Sequence, residues 1–346
     1  MVSPPHQSTW QRLFCRLNPD ALSKALADHW AKAMLPSRRW QPAPKQRGSE
    51  AVAIDGKCQR TRLAFPSSGA PVHMLAAFLH DQGLILAQEP IDAHPQANQP
   101  PLPTEEAGHT QAPLSQPLDK AEAELSVAPT LIKRLHWQGR VLTGDALFCQ
   151  RSLCELVVSL GGDYLLLVKD NQPTLHEDIR LLFDPPPKLA LPLIDRRETV
   201  TISHGHGRHF DRRHLIASTD LAGYSDWPHL AQVFRLERTW QEQGGFQRQV
   251  RYGITSLPPE LAPPERLLAL KRGHWQIENR DHYVKDVTLQ EDASTIHTGS
   301  GPSVMAILRD LTLSLLRQAG HRTIASRLRF NSLHPEAAVA LLSLPP

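Results

Sequence analysis

The sequence predicts an α/β fold in which a sheet flanked by helices is interrupted by a β-rich insertion. Strand and helix patterns alternate over residues 140–183, which is typical of a sheet with helical crossovers. The pattern changes to strands over residues 196–256 and returns to helices from Pro264 through Leu316. The strand-rich segment therefore precedes the last helices of the fold.

Two helices are predicted ahead of the first strand. Residues 8–35 show a helical pattern, a turn at Asn18-Pro19 and a second helix with Asp20 near its start. Residues 36–50, PSRRWQPAPKQRGSE, lack apolar periodicity and form a linker.

Short apolar runs predict the first three strands. AVAIDGK, residues 51–57, ends in Asp-Gly, like a buried strand with an acid at its tip. Residues 72–91 contain two strand patterns that meet at Asp81-Gln82-Gly83, which is a hairpin signal. Residues 92–124 are rich in Pro, Gln and Ala without periodicity, so we expect a flexible insertion there.

The alternating region contributes three helices and two strands to the predicted core. In chain order they are a helix at 128–137, a strand at 140–146, a helix at 150–161, a strand at 163–169 and a helix at 173–183. We expect Cys149 and Cys154, on the face of a helix that meets the sheet, to be buried apolar side chains.

Composition and charge exclude several classes of protein. The 346-residue chain has no run of about 18 apolar residues and no signal-peptide pattern at its start, so we expect neither a membrane span nor secretion. Four cysteines without a CxxC pair indicate a reduced cytoplasmic protein. The net charge is only +3, but basic residues cluster at 133–134, 196–197, 208–213 and 271–272, which permits a polyanionic partner.

Three acids come from distant parts of the sequence. Asp55 and Asp145 each end a predicted strand, where the side chains of an open α/β sheet face the ligand crevice. Glu278 follows the β-rich insertion. Converging carboxylates make an oxygen-rich site suited to Mg²⁺ or Mn²⁺, and two such ions can promote phosphodiester transfer. Asp292 is the second choice for the third acid.

The stretch RGHWQIENRDHYVKDV, residues 272–287, predicts a helix with one polar face. At 100° per residue, the residues near Glu278 on the wheel are His274, Asp281, His282 and Lys285. The residues predicted to pack are Ile277, Tyr283, Val284 and Val287.

Four motifs in order resemble those of a known family. They are AVAIDGK, TGDA, KDNQPTL and HWQIEN. In this order they resemble the DDE transposases of bacterial insertion sequences, specifically the ISAs-type, H repeat-associated group. The resemblance implies an RNase H-like mixed sheet flanked by helices, with the β-rich insertion before the last catalytic helix.

The resemblance also implies a function. Asp55, Asp145 and Glu278 would be catalytic carboxylates that hold Mg²⁺ or Mn²⁺. The substrate would be double-stranded DNA, both the terminal inverted repeats of the element and the target, which the enzyme cleaves and rejoins. A homodimer is left open. The alternatives are a truncated, inactive relic that at most binds DNA, and a metal-dependent nuclease built on the same core.

Family members usually carry a longer N-terminal region, so the resemblance divides the chain unevenly. Residues 1–48 would be a remnant of that region, residues 49–317 the catalytic domain and residues 318–346 a C-terminal tail. The chain would then be N-terminally shortened.

Basic residues and histidines are the expected DNA contacts. Lys285 matches a Glu-x6-Lys spacing of related transposases and would point at a phosphate. The other expected contacts are His274, His282, Arg208, Arg212, Arg213 and Lys169.

Two further features have alternative interpretations. HGHGRHFDRRH, residues 204–214, could suggest zinc through His204, His206, His209 and His214, but it lacks cysteine partners, and a DNA-backbone contact is favoured. Trp240 could stack on a flipped base, although packing is the favoured interpretation.

Overall fold

The computed structural model describes residues 6–34, 47–58, 73–91, 120–189, 192–205, 208–242, 245–296 and 298–342. Within these ranges the strands are β1 Glu50–Cys58, β2 His73–Leu79, β3 Leu84–Ile91, β4 Arg140–Gly144, β5 Asp163–Val168, β6 Arg197–Gly205, β7 Arg208–Ser218, β8 Gln232–Glu242 and β9 Gly245–Thr255. They form one sheet in the order β3-β2-β1-β4-β5-β9-β8-β7-β6.

The sheet has a mixed half and an antiparallel half. Strands β1, β4 and β5 are parallel, and β2 and β3 extend the β1 side as an antiparallel hairpin. On the other side, β9 pairs antiparallel with β5, and β8, β7 and β6 follow antiparallel. The expected RNase H-like mixed sheet and its β-rich insertion are therefore confirmed, and the insertion continues the same sheet.

The helices in the described ranges cover both faces. They are α1 Gln7–Phe14, α2 Pro19–Met34, α3 Lys120–Lys133, α4 Arg151–Ser159, α5 Pro173–Phe183, α6 Pro264–His274, α7 Gly301–Gln318, α8 Ile324–Leu333 and α9 Pro335–Leu342. No helix in this part of the chain is long and apolar enough to cross a membrane.

Side-chain alternation along the central strands assigns each face of the sheet to different helices. Val52 and Ile54 of β1 pack in one core cluster with apolar side chains of α3, α4 and α5, such as Leu131. Ala51 and Val141 pack on the opposite face with leucines of α6. Odd-numbered residues of β1 and β4 therefore point toward α6.

The segment after α6 departs from an α-helix. Residues Ile277–His282 and Val284–Thr288 are π-helical, and Glu291–Ala293 forms a 3₁₀ turn. Because π-helical turns bond residue i to i+5, they rotate side chains away from their α-helical positions. The predicted helical wheel is therefore wrong: Tyr283 and Val287 are exposed. Asp281 and Lys285 of the predicted polar face are buried, whereas Glu278 is exposed.

The structure bears on two of the sequence-based segments. Residues 120–124 belong to α3, with Ala123 and Glu124 buried, so the predicted insertion overlaps a packed helix. Residues 92–119 lie outside the described residues. The predicted C-terminal tail contains α8 and α9, which pack on α7 through Ile324 and its apolar neighbours.

The predicted turn before α2 and the predicted cysteine burial are confirmed. The Asn18 side chain accepts hydrogen bonds from the backbone N–H groups of Asp20 and Ala21, which caps α2. Cys149 and Cys154 are fully buried.

Two deletions should separate the packed helix from the segment before it. Replacing residues 92–119 with a short Gly-Ser linker should change the melting temperature by less than about 2 °C, because that composition cannot bury an apolar core. Deleting residues 92–124 should lower it by about 5 °C or more, since the first turn of α3 and its buried Ala123 are lost. Circular dichroism melts of both variants test this, and equal melting temperatures would contradict it.

Candidate active site

Parallel pairing places Asp55 and Asp145 side by side. Ala53 of β1 is the register partner of Thr143 of β4. Asp55 and Asp145 each lie two residues further along, at the same edge of the sheet and on the α6 side. The predicted placement on adjacent strands is confirmed, but β1 continues to Cys58, so Asp55 lies within its strand and only Asp145 directly follows one.

Local backbone contacts fix the direction of both carboxylates. Asp145 caps the 3₁₀ turn Ala146–Phe148, and its Oδ1 accepts a hydrogen bond of 2.9 Å from the backbone N–H of Leu147. Asp55 Oδ1 accepts one of 3.0 Å from the N–H of Gly56. Each carboxylate keeps further acceptor sites for a ligand.

Glu278 and the two aspartates interact electrostatically. Burial and then repulsion from Asp145, Glu124 and Glu278 raise the pKa of Asp55 from 3.8 to about 7. Burial also raises the pKa of Asp145. Glu278 is exposed on the first π-helical segment, close enough to Asp55 to repel its carboxylate.

Glu124 is a fourth carboxylate that sequence reasoning missed. It comes from α3, is buried, and its Oε1 lies 3.0 Å from His73 Nε2. A Cβ atom at Gly56 would lie 2.5 Å from Glu124 Oε1, so the glycine beside Asp55 makes room for this carboxylate. The Asp55-Gly56 pair in the sequence indicates a close approach to the backbone at residue 56, but it does not indicate that residue 124 is the one that approaches.

The donor chemistry fits a hard divalent cation. The three proposed ligands offer carboxylate oxygens only, and the ionised form of Asp55 is disfavoured by burial and by its neighbours. A divalent cation would offset that repulsion. No group of three or more His, Cys, Asp or Glu side chains within the described ranges is gathered tightly enough to hold a metal as it stands.

The two histidines expected to contact phosphate differ in position. His274 is buried, and its Nδ1 lies 3.4 Å from Thr143 Oγ1, which is 2.9 Å from His80 Nε2. Burial and then Lys271 lower the pKa of His274 to about 3, so it is neutral and shielded from phosphate, contrary to prediction. His282 is half-buried, and its Nδ1 lies 3.8 Å from Asp55 Oδ2.

Lys285 is also not a surface contact. Its Nζ lies 2.8 Å from Asp281 Oδ2 and 2.5 Å from Asp310 Oδ1, and all three side chains are at least 95% buried. The prediction that Lys285 points at a phosphate is wrong for this structure, because the π-helical turn rotates the lysine toward α7.

A basic cleft lies beside the acids. The cleft has a volume of about 440 Å³ and is lined by Arg213, Leu236, Arg238, Gln249, Arg251, Lys271, Arg272, Trp275 and Asn279. Asp211 accepts hydrogen bonds from both Arg213 and Arg238, which allows the two cations to lie on neighbouring strands.

The cleft is electrostatically connected to the acids through two cations. Lys271 interacts with Glu278 and Asp145, and Arg251 also interacts with Glu278. Burial and then Arg251 lower the pKa of Lys271 to about 8. The sequence analysis missed Arg238 and Arg251, because their approach to the cleft depends on strand pairing.

The other expected DNA contacts are only partly brought together. Arg213 lines the basic cleft, and exposed Lys169 interacts electrostatically with Asp145. Arg212 lies on β7 and is half-buried, but it is not among the residues that line the cleft. The side chain of Arg208 lies outside the described residues.

The remaining candidates are placed as follows. His214 Nε2 lies 2.8 Å from Glu198, while His206 and the side chain of His209 lie outside the described residues. Trp240 is half-buried with Arg238 stacked 4.7 Å from its ring centre, as expected of a packing tryptophan. Asp292 lies in the 3₁₀ turn Glu291–Ala293.

Lys285→Met should destabilise the fold. The substitution leaves Asp281 and Asp310 buried without their cation, which costs about 3–5 kcal/mol. Urea denaturation measures the loss, with Lys169→Met as an exposed control expected to stay within about 0.5 kcal/mol. A stable Lys285→Met protein with weakened DNA binding would instead restore the phosphate role.

Asp55→Asn should stabilise the metal-free protein in a pH-dependent way. Because the folded pKa of Asp55, about 7, exceeds its ordinary value of 3.8, the folded state binds more protons between these values. The free energy of unfolding of the wild type therefore falls as pH rises through this window. The advantage of Asp55→Asn should be absent near pH 3.5 and reach a few kcal/mol, to order of magnitude, by pH 8.

Thermal or urea unfolding in EDTA across this pH range measures the effect. Asp170→Asn, a fully exposed carboxylate, serves as the control and should show no such trend. An advantage for Asp55→Asn that is equal at both ends of the range would contradict the assignment.

Comparison with known proteins identifies the family. The family described as Transposase DDE domain matches residues 107–316, a span that includes Asp145 and Glu278 and begins after Asp55. The putative transposase YncI of Escherichia coli O157:H7 is 26% identical over 307 residues, which cover 85% of this chain and 70% of that protein. The H repeat-associated putative transposase YhhI of Escherichia coli K12 is 25% identical, covering 77% of this chain and 64% of YhhI.

A solved structure is distantly similar. The piggyBac transposase synaptic complex with hairpin DNA, determined by cryo-electron microscopy, aligns with a TM-score of 0.40 and 11% identity, over 90% of this chain and 58% of that one. The family match covers more than half of the sequence. The chain therefore belongs to the DDE transposase family.

Proposed function

We propose that this chain cleaves DNA at the ends of an insertion sequence and joins the ends to target DNA, using Asp55, Asp145 and Glu278 with Mg²⁺ or Mn²⁺. The observation that carries the proposal is the parallel register of β1 and β4, which sets two carboxylates side by side next to Glu278. When bound, divalent ions activate the attacking hydroxyl and stabilise the leaving oxygen in such transfers.

The basic cleft supports DNA as the substrate. Five cations line it together with the exposed Trp275, and cations that neutralise phosphates supply most of the affinity for DNA. Lys271 and Arg251 interact with Glu278, so a phosphate held by them lies next to the acids. The cleft would thus hold and orient the backbone at the proposed reaction centre.

Arginine geometry favours a bound backbone over a small anion. Arg213 and Arg238 lie directly opposite each other on β7 and β8, and both are anchored by Asp211. Arg251 and Arg272 add further cations to the same cleft. Several fixed cations in one open cleft match the repeated phosphates of a strand.

The Glu278→Gln variant should separate strand cleavage from DNA binding. Glu278→Gln keeps size and hydrogen bonding but removes the negative charge that a hard cation requires. Strand cleavage should fall at least about a hundredfold, while DNA affinity stays within about twofold because the cleft cations are unchanged. The measurements are cleavage and binding of duplex DNA from the regions flanking the gene, in Mg²⁺ and in Mn²⁺.

Two further variants make the assay decisive. Arg251→Gln should weaken binding and reduce the salt dependence of the affinity by about one charge, with cleavage recovering at high DNA concentration. Asp292→Asn, the competing third acid, should leave cleavage intact. Wild-type cutting by Glu278→Gln together with loss of cutting in Asp292→Asn would transfer the role to Asp292.

The wild-type result separates the proposal from its alternatives. Binding without cleavage in either metal would favour an inactive relic that only binds DNA. Cleavage without strand joining to a second duplex would favour a nuclease.

A further inference from the structure

Three side chains of β1 meet the Glu278-bearing segment in register. Ala53, Asp55 and Lys57 point to the same face because alternate residues of a strand share a face. Ala53 belongs to one apolar cluster with Ile277. Asp55 Oδ2 lies 3.8 Å from His282 Nδ1, and Lys57 Nζ lies 2.6 Å from Asp286 Oδ1.

The π-helical conformation makes this register possible. Ile277 and His282 are five residues apart, the spacing that a π-helical turn brings onto one face. The second π-helical segment then carries Asp286 to Lys57. Every second residue of β1, from Ala53 to Lys57, therefore contacts a successive turn of the segment that bears Glu278.

Lys57 provides the strongest of these three contacts. The contact at Ala53 involves a side chain of a single methyl group, and the contact at Asp55 is longer than a hydrogen bond. The Lys57 ammonium is 90% buried and faces two carboxylates, Asp286 at 2.6 Å and Glu291 at 3.5 Å.

The Lys57 contact also extends to α7. Glu291 is almost completely buried, and its Oε1 lies 3.5 Å from Arg309 Nη1. Strand β1, the second π-helical segment, the 3₁₀ turn and α7 are therefore joined by one chain of ion pairs. A buried ion pair holds its partners in a defined geometry, because separating them leaves uncompensated charge.

We propose that Lys57 is a positioning residue for the proposed metal site and sets the distance between Asp55 and Glu278. The inference rests on the proposed function of these carboxylates. Lys57 is two residues from Asp55, and its partner Asp286 is about two π-helical turns from Glu278. The ion pair therefore joins the strand that carries Asp55 to the segment that carries Glu278. Residues that orient metal ligands in this way change metal affinity about 10–100-fold when replaced.

The test compares Lys57→Met with Lys57→Arg. Mn²⁺ binding is measured by titration calorimetry in the presence of duplex DNA with a non-cleavable phosphorothioate backbone. Lys57→Met should weaken Mn²⁺ binding at least about tenfold, and Lys57→Arg should restore most of it, since arginine keeps the charge. Lys188→Met, at an exposed lysine in the 3₁₀ turn Pro187–Leu189 that follows α5, is the matched control and should bind Mn²⁺ as the wild type does.

DNA affinity and its salt dependence distinguish positioning from phosphate contact. Both should be unchanged in Lys57→Met, because the ammonium is 90% buried between carboxylates. A shallower salt dependence in Lys57→Met would overturn the inference in favour of a DNA contact. Unchanged Mn²⁺ affinity would also overturn it, leaving Lys57 as a structural residue.

Two measurements keep the outcome decisive. If Lys57→Met does not fold, Asp286→Asn removes one partner of the same ion pair at a more exposed position, and it should weaken Mn²⁺ binding several-fold. Failure of the wild type to bind Mn²⁺ in an Asp55-dependent manner would contradict the proposed function and this inference together. Wild-type binding that Lys57→Met and Asp286→Asn both preserve would contradict the inference alone.

Discussion

The parallel hydrogen-bonded pairing of β1 with β4 is the interaction on which the candidate site depends. It aligns Ala53 with Thr143, so Asp55 and Asp145, each two residues further along, lie side by side where the pairing of the two strands stops. A shift of this register by one residue would turn one carboxylate to the opposite face of the sheet. The buried runs of both strands prevent such a shift, because alternate residues pack in different cores above and below the sheet.

Placing several carboxylates close together is electrostatically unfavourable. The pKa shifts of Asp55 and Lys271 show the effect of this clustering and of burial. The raised pKa of Asp55 reflects burial first and the neighbouring acids second. Lys271, whose pKa is lowered mainly by burial, interacts with two of the same acids, Asp145 and Glu278. Burial disfavours the charged forms of both Asp55 and Lys271. A bound metal cation would stabilise the ionised carboxylates, and a bound phosphate would stabilise the charged lysine.

The strands and the two aspartates could be predicted because they depend on local patterns. AVAIDGK and RVLTGDA each show a buried run followed by an acid, and both form strands; Asp145 directly follows β4, whereas β1 continues past Asp55 to Cys58. The burial of Lys285 could not be predicted, since an α-helical wheel assumes a period that the π-helical turns do not keep. His274 ends α6, and its burial depends on how that helix packs against the sheet. Glu124 was missed for a different reason: its approach to Gly56 depends on how α3 packs across the sheet.

The β-rich insertion links DNA contact to the acids through the sheet itself. Strand β9 pairs with β5, so the insertion extends the sheet that carries β1 and β4. Three of its strands supply Arg213, Arg238 and Arg251 to the basic cleft, and α6 supplies Lys271 and Arg272. Helix α6 then leads into the segment that bears Glu278.

Because hydrogen-bonded strands resist sliding, the distance from the arginines to the aspartates is fixed by pairing along the sheet, and only the Glu278 segment is joined to it by side-chain contacts. The proposed role of Lys57 follows from this asymmetry, since its ion pair with Asp286 joins the Glu278 segment to the strand that carries Asp55.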